Sequence, residues 1–118
     1  MYPLRTRIDP RSDAFRANRD ANLATIETLH KHLRRAHAGG GEKYVARHLS
    51  RGKLLPRQRI DLVLDEGSPF LEICPLAGMH DGVVPGASLV AGIGRVSGTE
   101  CLISASESTV QGLSLIHI

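Results

Sequence analysis

The side chains with chemistry to offer are six histidines, two cysteines and a run of arginines and lysines from Arg47 to Arg59. His30, His32 and His37 lie in one basic stretch. Positions two apart in a helix do not share a face, and no Asp or Cys joins these three at metal-site spacing, so they read as solvated helix positions and no metal site is expected. His48 and His80 are isolated in the sequence, and no Ser–His–Asp order is present. Gly92-Ile93-Gly94 begins like a dinucleotide loop, but Ser97 stands at the third glycine position and no helical pattern opens there. Gly52-Lys53 ends like a phosphate loop, yet Arg47 occupies the first glycine position and Leu54 follows the lysine. Ser50-Arg51-Gly52-Lys53 fits a Ser-x-x-Lys string without the companion blocks that acyl-transfer chemistry needs. No catalytic residue is therefore assigned. What remains is the basic block Arg47, Arg51, Lys53, Arg57 and Arg59. It has two readings: a solvated helix surface paired with acids elsewhere, or a patch that faces phosphate, since arginine offers forked donors and helix N-termini offer free amides.

The distribution of charge sharpens that choice. The net formal charge of the 118 residues is +3, but residues 30–59 hold nine Lys and Arg against the single acid Glu42, an excess of +8. Residues 60–118 hold Arg95 against seven acids, −6. A segment so basic needs a polyanion or the acidic half of the same assembly. Nucleic acid is one such polyanion, but Tyr44 is the single aromatic near the patch and no nucleic-acid-binding signature accompanies it. Cys74 and Cys101 are far apart and outside any CxxC pattern, which suits reduced thiols in the cytoplasm. No apolar run approaches membrane-spanning length.

The elements that must position these residues are legible in outline. Ser12 is a plausible N-cap for a helix carrying Phe15, Leu23, Ile26, Leu29 and Leu33 at mostly three- and four-residue steps, roughly six to seven turns long. Gly39-Gly40-Gly41 ends it, and its narrow apolar stripe needs a further surface to lie on. A second, short helix is expected from about Glu42 to Ser50, with Val45 and Leu49 inward and Gly52 as its left-handed terminator. Pro56 opens a third with Ile60, Val63 and Leu64 on one face and Arg57, Gln58 and Asp61 on the other; Asp65-Glu66-Gly67 closes it. The pattern then turns strand-like: Phe70 to Cys74, a loop from Gly78 to Ala87, and a hairpin of Ser88–Val96 and Glu100–Ser106 about the turn Ser97-Gly98-Thr99. Both faces of Ser88–Val96 are apolar and look buried, and Gly92 and Gly94 imply close approach by another segment or a ligand. One hairpin cannot bury two apolar faces in so short a chain.

Three ordered stretches carry a family resemblance: Gly39-Gly40-Gly41-Glu42-Lys43, then ARHLSRGKLLPRQRIDLVLDEGSPFLEI, then VPGASLVAGIGRVSGTECLISASESTVQG. Together they resemble the N-terminal part of the carboxyltransferase β subunit of biotin-dependent acyl-CoA carboxylases, of the methylcrotonoyl-CoA and propionyl-CoA carboxylase β-chain type. The opening RIDPRSDAFRANRDANLATIETL is most similar to the methylcrotonoyl branch, and the match covers about residues 5–112.

The resemblance implies an α/β fold in which N-terminal helices (1–66) precede the first β-hairpin of a crotonase-like superhelix of ββα repeats (67–112). It implies transfer of a carboxyl group from carboxybiotin to the α-carbon of an acyl-CoA, with enolate oxygens held by glycine-rich backbone amides. Biotin rides on a separate carrier charged by a biotin carboxylase, the β subunits form a homo-oligomer, and neither nucleic acid nor membrane is a partner. The compartment is the cytoplasm, or the mitochondrial matrix in a eukaryote. Arg47, Arg51 and Lys53 are the residues expected to contact CoA phosphates. Two departures stand out. In Ser104–Gly112, where family members commonly read AND-x-TVKGG, Gln111 stands in place of the lysine. After Gly112 the chain reads LSLIHI and stops, where the family continues several-fold further. Residues 113–118 are accordingly expected to be a truncated or non-native tail, the glycine-rich loops to lie beyond it, and the fragment to bind no cofactor and be inactive alone. The alternative is a small basic helical module that binds nucleic acid or serves as an interaction scaffold.

Overall fold

A computed structural model describes residues 6–79, 85, 86, 88–110 and 112; His80, Gln111 and the tail 113–118 lie outside the described residues. The chain forms two compact units, 1–31 and 32–118. The first consists mainly of helix α1 (Asp13–His37), which runs on into the second. Ser12 caps α1 as its position predicts: its Oγ accepts the Phe15 N–H at 3.2 Å while donating to the Asp9 carbonyl at 2.8 Å. Leu23, Ile26 and Leu29 form the anticipated stripe, and all three are exposed.

The second unit carries helices α2 (Glu42–Leu49) and α3 (Pro56–Val63) and strands β1 (Leu71–Ile73), β2 (Leu89–Val96) and β3 (Thr99–Ser106). Gly52, at φ +70°, closes the turn after α2 by donating to Leu49 O. Pro56 opens α3, whose first turn is completed when Gln58 Oε1 accepts the Leu55 N–H at 2.9 Å. The strands form one antiparallel sheet in the order β1-β2-β3, with Leu71 opposite Ile93 and Ile93 opposite Leu102. Only Ser97 and Gly98 lie outside the β2–β3 ladder, both at positive φ, as a two-residue turn matched to the strand twist requires. Asp65, just after α3, fixes that turn: its carboxylate accepts the Ser97 N–H at 2.6 Å and the Gly98 N–H at 2.8 Å.

The core lies between α3 and the inner face of the sheet. Ile60, Val90 and Ala105 are buried there, with Leu64, Phe70 and Ile103 against them. Gly92 and Gly94 make this possible, and the close approach they imply comes from the chain itself. A β-carbon at Gly92 would collide with the Phe70 ring and the Leu71 carbonyl, and one at Gly94 with Leu64.

Three helix-face assignments change. Leu49 and Val63 are exposed, because Val45 and Ile60 already fill the inward positions of two eight-residue helices. Arg57 turns inward, to meet Glu72. The sheet also buries one face only. On its outer face Leu71, Ile93 and Leu102 form a row across all three strands, 66%, 41% and 75% exposed.

Replacing Gly92 by Ala should cost about 1–3 kcal/mol, the usual effect of overfilling a packed contact. Urea denaturation would show this as a lower midpoint at unchanged slope, and an unshifted midpoint would mean that Phe70 does not rest on β2.

Candidate functional site

The basic block divides by environment. Arg57 is structural: its guanidinium pairs with Glu72 Oε1, both side chains largely buried, and His37 Nε2 lies 3.5 Å from the other Glu72 oxygen. Three segments, the end of α1, α3 and β1, are thus joined at one carboxylate. Arg47, Arg51, Lys53 and Arg59 are exposed, and among the described residues none of the four is ion-paired.

Those four cations border two neighbouring cavities. The larger, about 570 Å³, is lined by Gly40, Tyr44, Arg47, His48, Arg51 and the segment Ser108, Thr109, Val110 and Gly112. The smaller, about 450 Å³, is lined by His48, Lys53, Leu54, Arg59, Ser106 and Ser108. Among the described residues neither lining includes a carboxylate. The cations expected to act together are therefore brought together, but Arg47 and Arg51 face one cavity and Lys53 faces the other.

His48 and Ser108 are common to both linings and touch. His48 Nε2 lies 3.1 Å from the Leu54 carbonyl and Nδ1 3.3 Å from Ser108 Oγ. A carbonyl only accepts, so Nε2 carries the hydrogen in the neutral ring and Nδ1 accepts from Ser108. His48 is isolated in the sequence because its partner lies sixty residues away. His30 is exposed and His32 half-buried. Among the described residues no three His, Cys, Asp or Glu side chains converge on a metal position, and no helix is long and apolar enough to cross a membrane.

The floor of the larger cavity is held by a feature the sequence reading missed. Glu107 is 7% exposed, and its Oε1 accepts the Thr109 N–H at 3.1 Å and the Thr109 hydroxyl at 2.6 Å. The same hydroxyl accepts the Gly40 N–H at 3.0 Å, and the Glu107 N–H donates to Ser88 O at 2.7 Å. Gly40 packs so closely on the Thr109 carbonyl that no β-carbon would fit. The signal was the triple glycine: a helix stop needs only Gly39, at φ +60°, and the next residue serves this contact.

The carboxyl transferase domain family matches residues 47–116, more than half of the chain. The chain belongs to that family. It is 50% identical over 95 residues to the biotin-dependent 3-methylcrotonyl-coenzyme A carboxylase beta1 subunit of Mycobacterium tuberculosis, covering 79% of this chain and 18% of that one. With the probable mitochondrial methylcrotonoyl-CoA carboxylase beta chain of Drosophila melanogaster it shares 43% identity over 118 residues, 98% of this chain and 20% of that one. Among solved structures, the P. aeruginosa geranyl-CoA carboxylase beta subunit superposes with a TM-score of 0.79 at 33% identity, covering 92% of this chain and 21% of that one. The transcarboxylase 12S structure with methylmalonyl-coenzyme A and methylmalonic acid bound follows at 0.64 and 32%, covering 75% and 19%. The chain spans about one-fifth of the length of these relatives.

Thr109→Val removes the acceptor for Gly40 and a donor to Glu107 and should cost about 1–3 kcal/mol, the penalty for stranding buried polar groups. Amide exchange at Gly40 should accelerate with it. Unchanged exchange would show that the glycine turn is held by other contacts.

Proposed function

We propose that this chain is the N-terminal portion of the carboxyltransferase β subunit of a biotin-dependent acyl-CoA carboxylase of the methylcrotonoyl type. The observation that carries this reading is similarity along nearly the whole chain to proteins named as such subunits. The enzyme moves a carboxyl group from carboxybiotin to the α-carbon of an acyl-CoA. Biotin arrives on a separate carrier charged by a biotin carboxylase, and the β subunits assemble with copies of themselves, in the cytoplasm or in the mitochondrial matrix of a eukaryote.

Within that enzyme, residues 1–66 are the helices that precede the sheet, and 67–112 begin a crotonase-like superhelix of ββα repeats. The exposed row Leu71, Ile93 and Leu102 supports this, since an apolar sheet face of that kind is ordinarily packed against another layer. The segment's contribution is anion binding rather than enolate stabilisation. Arg47, Arg51 and Lys53 contact the phosphates of CoA, a role favoured by their exposure, their lack of ion pairs among the described residues and the cavities they border.

A chimera tests this. Residues 1–112 would replace the corresponding segment of an active methylcrotonoyl-CoA carboxylase β chain, and carboxylation would be assayed with the carrier subunit. The chimera should be active. Arg47→Gln, Arg51→Gln and Lys53→Gln should each raise the acyl-CoA KM about three- to tenfold with kcat nearly unchanged, the signature of lost uniform binding. A folded but inactive chimera would overturn the assignment, and an unchanged KM would remove the three cations from the substrate site.

A further inference from the structure

His48 is held in place by two hydrogen bonds of different character. Its Nε2–H donates to Leu54 O at 3.1 Å, and its Nδ1 accepts from Ser108 Oγ at 3.3 Å. The first bond survives any change of charge on the ring, because a carbonyl accepts from neutral and charged imidazole alike. The second reverses. A protonated Nδ1 is a donor, so Ser108 Oγ becomes its acceptor and the hydroxyl hydrogen must turn elsewhere. The surroundings decide what it meets. Tyr44 and Arg47 face the pair from α2, Arg51 from the turn after it, Lys53 from the loop before α3, Arg59 from α3 and Ser106 from the end of β3. Among the described residues no carboxylate lines either hollow, and Glu107, next to Ser108 in the chain, is engaged with Thr109. The hydrogen that Ser108 releases therefore meets no protein carboxylate there and is available to an anion that enters.

We infer that His48 and Ser108 form a proton-linked switch that tightens phosphate binding at this patch as pH falls. This rests on the reading of the patch as a CoA site. Uptake of one proton changes two things at once. The half-buried ring adds a positive charge between the hollows, and the hydroxyl turns from a donor to the ring into a donor to the ligand. Nothing else has to move, since the ring keeps both of its bonds. An anion in either hollow favours the charged ring, so proton and anion each raise the affinity for the other. Histidine suits this role because it changes charge between about pH 5 and 8. The arginines and the lysine around it keep their charge throughout that range.

The experiment uses the chimeric β chain assembled with its carrier subunit, residual carboxylation activity verifying that each variant has folded. Calorimetric titration with CoA at about pH 6, 7 and 8, in buffers of different ionisation enthalpy, reads affinity and proton uptake together. His48→Gln keeps a donor for Leu54 O but cannot gain a proton. From the highest pH to the lowest, the CoA affinity of the unsubstituted chimera relative to His48→Gln should rise about three- to tenfold, the upper end being the scale of one charge-assisted hydrogen bond. Proton uptake on binding should disappear in His48→Gln. The comparison is made at each pH because the ligand's phosphate monoester also titrates at about pH 6, and on meeting cations it releases protons where the switch takes them up. Ser108→Ala keeps the charge but loses the donor, so it should lower the gain without removing it. Where His48→Gln does not assemble, Ser108→Ala decides, and a pH response equal to that of the unsubstituted chimera overturns the switch. If Arg51→Gln weakens CoA but the affinity ratio to His48→Gln stays constant with pH, the switch fails while the CoA site stands. If Arg51→Gln leaves CoA affinity unchanged, the CoA reading of the patch falls and this inference with it.

Discussion

The second unit depends on two missing side chains. At Gly92 and Gly94 the inner face of β2 is bare backbone, and the Phe70 ring and the Leu64 side chain occupy the space that side chains there would take. Because Phe70 and Leu64 lie flat on the strand, Ile60 reaches Val90 and Ala105 and is almost wholly removed from water. An eight-residue helix such as α3 is not stable by itself; this contact is what holds it. The glycines are a geometric requirement of the helix–sheet distance, not an excess of flexibility in the strand.

Fixing α3 on the sheet also decides the fate of the charges. With Ile60 inward, Arg57 lies over β1 and meets Glu72, which takes it out of the basic surface. A buried pair of this kind adds little net stability over apolar packing, but losing one partner strands the other charge. Its value is positional: the end of α1, α3 and β1 converge on Glu72. Arg59, two residues on, is left facing outward with Lys53 on the cavity side.

Much of this was legible because it is local. The Ser12 cap, the glycine stop after α1, Gly52 beyond α2, Pro56 at the start of α3 and the hairpin about Ser97-Gly98 all follow from neighbours within a few residues. What was not legible rests on distant partners or on helices too short to define a face. In eight residues, Val63 and Leu49 look as inward as Ile60 and Val45, and only the surface available for packing separates them. Arg57 reads as polar surface until Glu72, fifteen residues later, is brought beside it. The same holds for the candidate site: the cations were apparent as a run, but their division into two hollows depends on His48 meeting Ser108 across sixty residues.

The acidic half of the sequence could have neutralised the basic half, and the structure shows how little of it does. Asp65 holds the amides of the hairpin turn, and Glu107 holds Thr109, which in turn holds Gly40. Both carboxylates are committed to backbone and hydroxyl donors rather than to cations. Glu72 neutralises Arg57 and approaches His37. Asp61, Glu66 and Glu100 are exposed and, among the described residues, joined to none of the four outward cations. Opposite net charges along a chain thus do not imply mutual pairing, since a carboxylate already satisfied by backbone amides has little left to offer a guanidinium. Arg47, Arg51, Lys53 and Arg59 are left exposed at the borders of the two cavities, without an ion pair among the described residues.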